Sequence, residues 1–428
     1  MALPGAAGGR RPNLDLGAGA AFGDGMTRVL TGLDALASAV GSPRKLLSGR
    51  VGLLCHPASV AADLTHIVDR FLQMGVRPTR LFGPEHGVRG DAQDMIGVAA
   101  ATDSRTGIPV SSLYGATFES LTPTRADLSD VDVLVIDLQD VGSRYYTYVW
   151  TMGLAMKAAA AAGVRVVVLD RPNPLGGTAI EGGPVDPGYE SFVGLGSVPV
   201  RHGLTIAEMA RLIAQGLSWG PPPFRDRIDV ELATVPMQGW RRDMSFEETG
   251  LPWVLPSPNM PTVDTAYVYP GQCLFEGTNL SEGRGCTRPF EIVGAPFLDG
   301  YRWAEAVARQ GLPGVILRPL TLRPTFHKFA NQPCGGVQLH VTDRRAFLPL
   351  RTGIALLATA RALAPGEFAW RSKAYEFVEG TLAIDLLAGT HTVREGIEAG
   401  TPVAEIVAPF AAFEREFLER RAPSLLYS

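Results

Sequence analysis

A chain of 428 residues with 46% hydrophobic and 19% charged side chains holds enough apolar content for two domain cores and is too long for one. Its formal net charge of −4, with no run of Lys and Arg, argues against nucleic acid or an anionic membrane surface as a partner. No stretch reaches the ~18 apolar residues of a membrane-spanning helix, and the four scattered cysteines (Cys55, Cys273, Cys286, Cys334) form no C-x-x-C zinc pair.

Residues 1–25 are rich in Gly, Ala and Pro, and no apolar run follows Arg10-Arg11. They read as a disordered leader, or as residues upstream of a start at Met26, rather than as a secretory signal, which places the protein in the cytoplasm. From residue 26 helix and strand signals alternate. Leu30 to Val40 has helical spacing and stops at Gly41. Arg50 to Leu54 is a strand closed by Cys55-His56-Pro57. Leu64 to Met74 is an amphipathic helix with Gly75 at its end. Short apolar runs at Arg80-Leu81-Phe82, Val131 to Ile136 and Val164 to Leu169 predict buried strands. Between the last two, Tyr146 to Ala162 predicts a helix ending at Gly163, which completes a right-handed βαβ unit. Thr205 opens a further helix with Glu208 in capping-box position, and Gly216 ends it. Residues 26–285 therefore read as a doubly wound α/β domain. Residues 286–428 read as a smaller α+β domain, with strands at Gly314 to Leu317 and Gly336 to Val341 and helices at Arg351 to Leu363 and Val403 to Leu418.

Polar groups collect where these strands end, the place where open parallel sheets bind ligands. Gly83-Pro84-Glu85-His86-Gly87 sets a carboxyl on a glycine-flanked bend, where partial desolvation raises its pKa and suits a general acid; the plainer alternative is a helix-capping carboxylate. Asp137 and Asp140 flank the next strand end. Asp140 precedes Gly142-Ser143-Arg144-Tyr145-Tyr146, whose cation, hydroxyl and rings suit a sugar, unless Asp140 and Arg144 simply pair beside core tyrosines. The loop Phe275 to Gly285 carries Glu276, Asn279, Glu282 and Arg284; it is either a binding loop or a solvated surface loop. Trp253 to Thr262 is fixed by prolines and displays Asn259. There is no Walker loop and no G-x-G-x-x-G at a first βα turn. Gly216-Leu217-Ser218-Trp219-Gly220 follows a helix and runs into three prolines, which a nucleophile elbow does not do. The seven histidines show no i, i+4 pair, so neither a metal nor a cofactor is expected. Cys273 and Cys286 read as free thiols, with a disulfide between them as the alternative.

Taken together, the segments from Gly83 to Gly90, Asp137 to Thr147, Asp170 to Pro174 and Phe275 to Asn279 resemble the exo-β-N-acetylmuramidase family of peptidoglycan hexosaminidases, formerly a domain of unknown function. The resemblance runs from about Leu30 to the end of the chain. It implies a Rossmann-like catalytic domain, a smaller C-terminal domain and a cleft between them. It also implies release of N-acetylmuramic acid from the non-reducing end of β-1,4-linked peptidoglycan fragments, with Glu85 as the catalytic residue. Cys55-His56-Pro57-Ala58 departs from the family's Thr/Ser-Asn-Pro-type turn, which leaves the polar contact there open. On this reading Glu85 protonates the leaving oxygen, and Asp140, then Glu276 or Glu282, ranks as second carboxylate. In a substrate-assisted route Asp140 orients the 2-acetamido group instead. Arg144 or Arg284 meets the lactyl carboxylate, and His86 and Asn173 supply hydrogen bonds. The alternatives are a non-catalytic muropeptide-binding protein and a hydrolase of another amino-sugar glycoside or of an amide bond.

Overall fold

The computed structural model describes residues 28–38, 45–89 and 101–428; the expected leader lies outside them. Among the described residues, strands β1 (Val51–Cys55), β2 (Arg80–Gly83), β3 (Ala101–Thr102), β4 (Pro109–Ser112), β5 (Val133–Asp137), β6 (Arg165–Leu169) and β7 (Leu232–Val235) form one sheet in the order β3-β4-β2-β1-β5-β6-β7. Every neighbouring pair is parallel except β3 with β4. Without β3 this is the 3-2-1-4-5-6 order of a doubly wound sheet, with its switch point between β1 and β5. Leu53 lies beside Val135, and Val135 beside Val167. All five positions of β1 and of β5 are buried, which is why both read as unbroken apolar runs.

Helix α1 (Gly32–Ser38) starts at Gly32 rather than Leu30, where Thr31 and Asp34 close its first turn by exchanging hydrogen bonds, and its expected end at Val40 lies outside the described residues. Helix α2 (Ile67–Gln73) starts later than Leu64, since Leu64 turns at φ +66° and His66 caps the helix. Helix α3 (Tyr148–Ala162) links β5 to β6 and ends at Gly163, whose φ of +69° explains the glycine. Helix α4 (Ile206–Gln215) starts at the Thr205–Glu208 capping box that the sequence announces.

Helix α5 (Val263–Gln272) leads into the second part of the chain. Here β8 (Ile292–Ala295), β9 (Val315–Leu322) and β10 (Cys334–Val341) form an antiparallel sheet in the order β8-β10-β9. Strand β9 runs well past Leu317 through Pro319, which an edge strand tolerates because its missing N–H faces away from the sheet. Helices α6 (Gly300–Ala308), α7 (Pro349–Leu363), α8 (Ala383–Ala388) and α9 (Thr392–Ala399) follow. The single helix expected over Val403 to Leu418 is two, α10 (Val403–Val407) and α11 (Phe410–Arg421), because Pro409 cannot continue the first.

The two parts share one apolar core, in which Trp150, Phe192 and Phe275 of the first join Trp303 and Ile354 of the second. Helix α5 crosses α7 glycine against glycine, and a Cβ on Gly271 would fall 1.9 Å from the Pro349 carbonyl oxygen. Glu181, from the first part, accepts from the Leu350 and Arg351 amides and so caps the first turn of α7. The last residues return to the first sheet. Tyr427 donates its hydroxyl proton to Asp170 at the end of β6 and accepts from the Met237 amide at 2.7 Å, while the Leu426 amide donates to Glu208. None of the four cysteines is in a disulfide, so Cys273 and Cys286 are not bridged. No described helix is long and apolar enough to cross a membrane.

Candidate active site

The bend after β2 is built by its sequence. The Gly87 amide bonds back to the Pro84 carbonyl at 2.9 Å, and His86 and Gly87 take φ values of +71° and +78°. A left-handed histidine costs conformational energy, as residues at working sites often do. The bend carries Glu85, 6% exposed, to the start of α3, where the Thr147 hydroxyl donates to its Oε2 at 3.1 Å. Tyr148 in the same turn donates to the Pro256 carbonyl at 2.7 Å, which fixes the proline-rich loop against the helix.

Glu85 lines a cleft between the two parts of the chain. Seven of the residues the sequence singled out meet there: Glu85, His86, Tyr145, Tyr146, Asn259, Glu276 and Arg284. The rings form a continuous wall, with Tyr146 edge-on to Tyr148 at 4.8 Å and to Tyr269 at 5.8 Å, and Tyr269 edge-on to Phe290 at 4.9 Å. Burial pushes the Tyr145 and Tyr146 hydroxyls above their usual pKa, so both rings stay neutral donors. Glu276 is committed on both oxygens: Arg284 donates to one at 2.7 Å and the Tyr375 hydroxyl to the other at 2.6 Å.

Five singled-out residues do not line the cleft. Arg144 is fully buried and donates to the carbonyls of Gly183, Val198, Leu387 and Ala388 at 2.9–3.0 Å, tying α8 to the first domain. Burial lowers its pKa to about 10. The Asp140–Arg144 pair is not formed. Asp140 instead accepts from the Gly142 amide at 2.7 Å and lies 3.3 Å from His202 Nε2. Asn173 bridges the Leu204 carbonyl and the Leu175 amide, and Asn279 bridges Glu367 and Ala369. Burial alone would raise the Glu282 pKa, but Lys328, His327 and Arg284 surround this fully buried carboxylate and hold it well below the usual range.

At the departing turn, His56 is wholly buried. Its Nε2 accepts from the Gln139 amide at 2.8 Å, which leaves Nδ1 to donate to Pro256. Burial, reinforced by Arg171, lowers its pKa, so the ring is a neutral pin between β1, the β5 loop and the proline-rich loop. The sequence reading passed over Tyr269 and, from the second part, Phe290, Tyr375 and Glu376, which also line the cleft. They sit in a helix and in short loops that no strand-end pattern marks. The cleft thus combines three carboxyl groups (Glu85, Glu276 and Glu376), one guanidinium and a tyrosine wall, an amphipathic set suited to a charged sugar. Among the described residues no group of His, Cys, Asp and Glu is arranged to hold a metal ion.

The comparisons with known proteins agree with this architecture. Residues 51–264 match the family described as exo-beta-N-acetylmuramidase NamZ, N-terminal, and residues 267–427 match its C-terminal counterpart. The chain is 44% identical over 402 residues to peptidoglycan beta-N-acetylmuramidase NamZ of Bacillus subtilis (strain 168), covering 94% of this chain and 92% of that one. Two DUF1343 family proteins of Bacteroides fragilis NCTC 9343, with solved crystal structures, superpose with TM-scores of 0.81 and 0.72 at 32% and 28% identity, each over 94% of this chain and 99% of the other. With both family halves in order and nearly the whole length aligned, the chain belongs to the NamZ family of exo-β-N-acetylmuramidases.

Proposed function

We propose that this glycosidase releases N-acetylmuramic acid from the non-reducing end of β-1,4-linked peptidoglycan fragments, with Glu85 as the general acid. The observation that carries the assignment is the position of Glu85, a buried carboxyl on a strained bend at the end of a parallel strand, facing a tyrosine-walled cleft. Protonation of the bridging oxygen by such a group is the first requirement of glycoside hydrolysis. Arg284 is the only arginine among the described lining residues and is the group assigned to the lactyl carboxylate that distinguishes muramic acid from glucosamine. The division into a catalytic part ending near residue 285 and an auxiliary part after it belongs to the same proposal, as does action in the cytoplasm, with which four cysteines outside any disulfide are consistent.

Glu85→Gln keeps the shape and removes the acid. Release of N-acetylmuramic acid from a muramyl disaccharide is expected to fall by at least ~10²-fold. Turnover within a few-fold of the parent enzyme would refute the assignment. Comparing β-N-acetylmuramide with β-N-acetylglucosaminide tests the lactyl contact, since only the first rewards Arg284.

A further inference from the structure

Glycoside hydrolysis needs a partner for the acid, and the cleft supplies three carboxyls of unequal standing. Glu276 has both oxygens engaged, by Arg284 and by Tyr375. Asp140 and Glu282 do not line the cleft. Glu376 does, at 5% exposure, and it arrives there on a backbone that resists the conformation.

Residues 375–378 form a two-residue hairpin in which Tyr375 and Val378 exchange both backbone hydrogen bonds at 3.0 Å. Its two central residues, Glu376 and Phe377, have φ values of +47° and +67°. Such a turn favours Asn-Gly or Gly-Gly, because both central residues must be left-handed. Placing glutamate and phenylalanine there carries strain at each position, and strain of this kind persists where surrounding contacts impose it. Those contacts are visible. The Phe377 ring packs edge-on against Tyr114 at 6.0 Å, Phe118 at 6.3 Å and Phe192 at 6.4 Å, all from the first domain. The hairpin of the second part is thus clamped across to the first, with Glu376 held at the cleft.

We propose that Glu376 is the second carboxylate of the reaction, acting as general base opposite Glu85; this rests on the reading of Glu85 as the acid. Glu376 takes a proton from water as the water oxygen bonds to the anomeric carbon. The bond from that carbon to the bridging oxygen breaks, its electron pair passes to the oxygen, and Glu85 delivers the proton that completes the leaving hydroxyl. Exchange with solvent then returns both carboxyls to their starting protonation.

The test compares two substrates, a β-N-acetylmuramide with a nitrophenyl leaving group and a muramyl disaccharide, on Glu376→Gln, Glu376→Gly and Glu85→Gln. The nitrophenolate leaves without a proton, so Glu85→Gln is expected to lose far more on the disaccharide than on the aryl substrate. Loss of the base spares neither, and Glu376→Gln is expected to lower kcat/KM by at least ~10²-fold on both, with the acid limb of the pH profile removed. Glu376→Gly suits the left-handed backbone and is expected to melt no lower than the parent while losing activity to the same extent, which separates chemistry from folding. Activity of either Glu376 variant within ~10-fold of the parent on both substrates, or an unchanged acid limb, would overturn the proposal. Equal losses of Glu85→Gln on the two substrates would instead overturn the reading of Glu85.

Discussion

Replacing Arg144 with methionine separates the substrate contact that the sequence suggested from the structural clasp that the hydrogen bonds describe. The guanidinium makes four hydrogen bonds at 2.9–3.0 Å, all to main-chain carbonyls, two in the first domain and two at the end of α8. A hydrogen bond from a charged donor contributes about 1.5–3 kcal/mol, so simple addition gives roughly 6–12 kcal/mol. Such bonds are not additive, and removing one member of a buried charged network costs about 3–5 kcal/mol in practice. We therefore expect Arg144→Met to lower stability by about 3–5 kcal/mol, read as a drop in the urea midpoint by tryptophan fluorescence. Arg144→Lys, with three donors on one nitrogen, should fall between. In the folded fraction at low temperature, KM for a muramyl disaccharide should stay within about threefold, since Arg144 does not line the cleft. An unchanged urea midpoint together with a KM raised ~10²-fold, the ~3 kcal/mol of a lost charged contact, would refute the clasp and return Arg144 to the substrate.

Two further outcomes follow from buried groups and close packing. Burial raises the Asp170 carboxyl to about 7, with Glu208 adding to the shift, and burial likewise raises Glu181 to about 7. Each group binds its proton more tightly in the folded state, so its contribution is present below the unfolded pKa of about 4 and is lost as pH rises through 7. Urea midpoints should accordingly fall between pH 5 and pH 8, with a shallower slope in Asp170→Asn; a slope unchanged by that substitution would count against the assignment. Gly271→Ala places a methyl 1.9 Å from the Pro349 oxygen and forces α5 off α7. Overpacking of this kind costs about 1–3 kcal/mol or more, and a melting point equal to the parent's would show that the crossing is looser than described.

The strands were legible wherever burial on both faces left a continuous apolar run, as in Val133–Asp137, and the helices wherever a capping box or a C-terminal glycine marked an end. Strands β4 and β7 were missed because they are short and mostly only half-buried, so neither shows an unbroken apolar run, and β3 has only two residues. At the site, the motif at a strand end pointed to Glu85 and the loop composition to Arg284 and Glu276, and these do share one cleft. Composition could not tell a guanidinium lining the cleft from one facing carbonyls, which is the difference between Arg284 and Arg144. Glu376 carried no signal, because its hairpin uses neither glycine nor asparagine, and its place depends on aromatic neighbours more than 180 residues earlier in the chain.

The Tyr427–Asp170 contact has a consequence for the order of events during synthesis. Domains near the amino terminus ordinarily fold while translation continues. Here the carboxyl end of β6 waits for a side chain 257 residues further along the chain, which also bonds the Met237 amide just past β7. Until then the nascent chain exposes Asp170, the Glu208 carboxylate and the apolar face of Trp240, against which the Tyr427 ring packs at 4.9 Å. Completion of this sheet therefore waits on a segment made long after its strands, and the interval before it is when the unfinished protein is most exposed to chaperones and proteases.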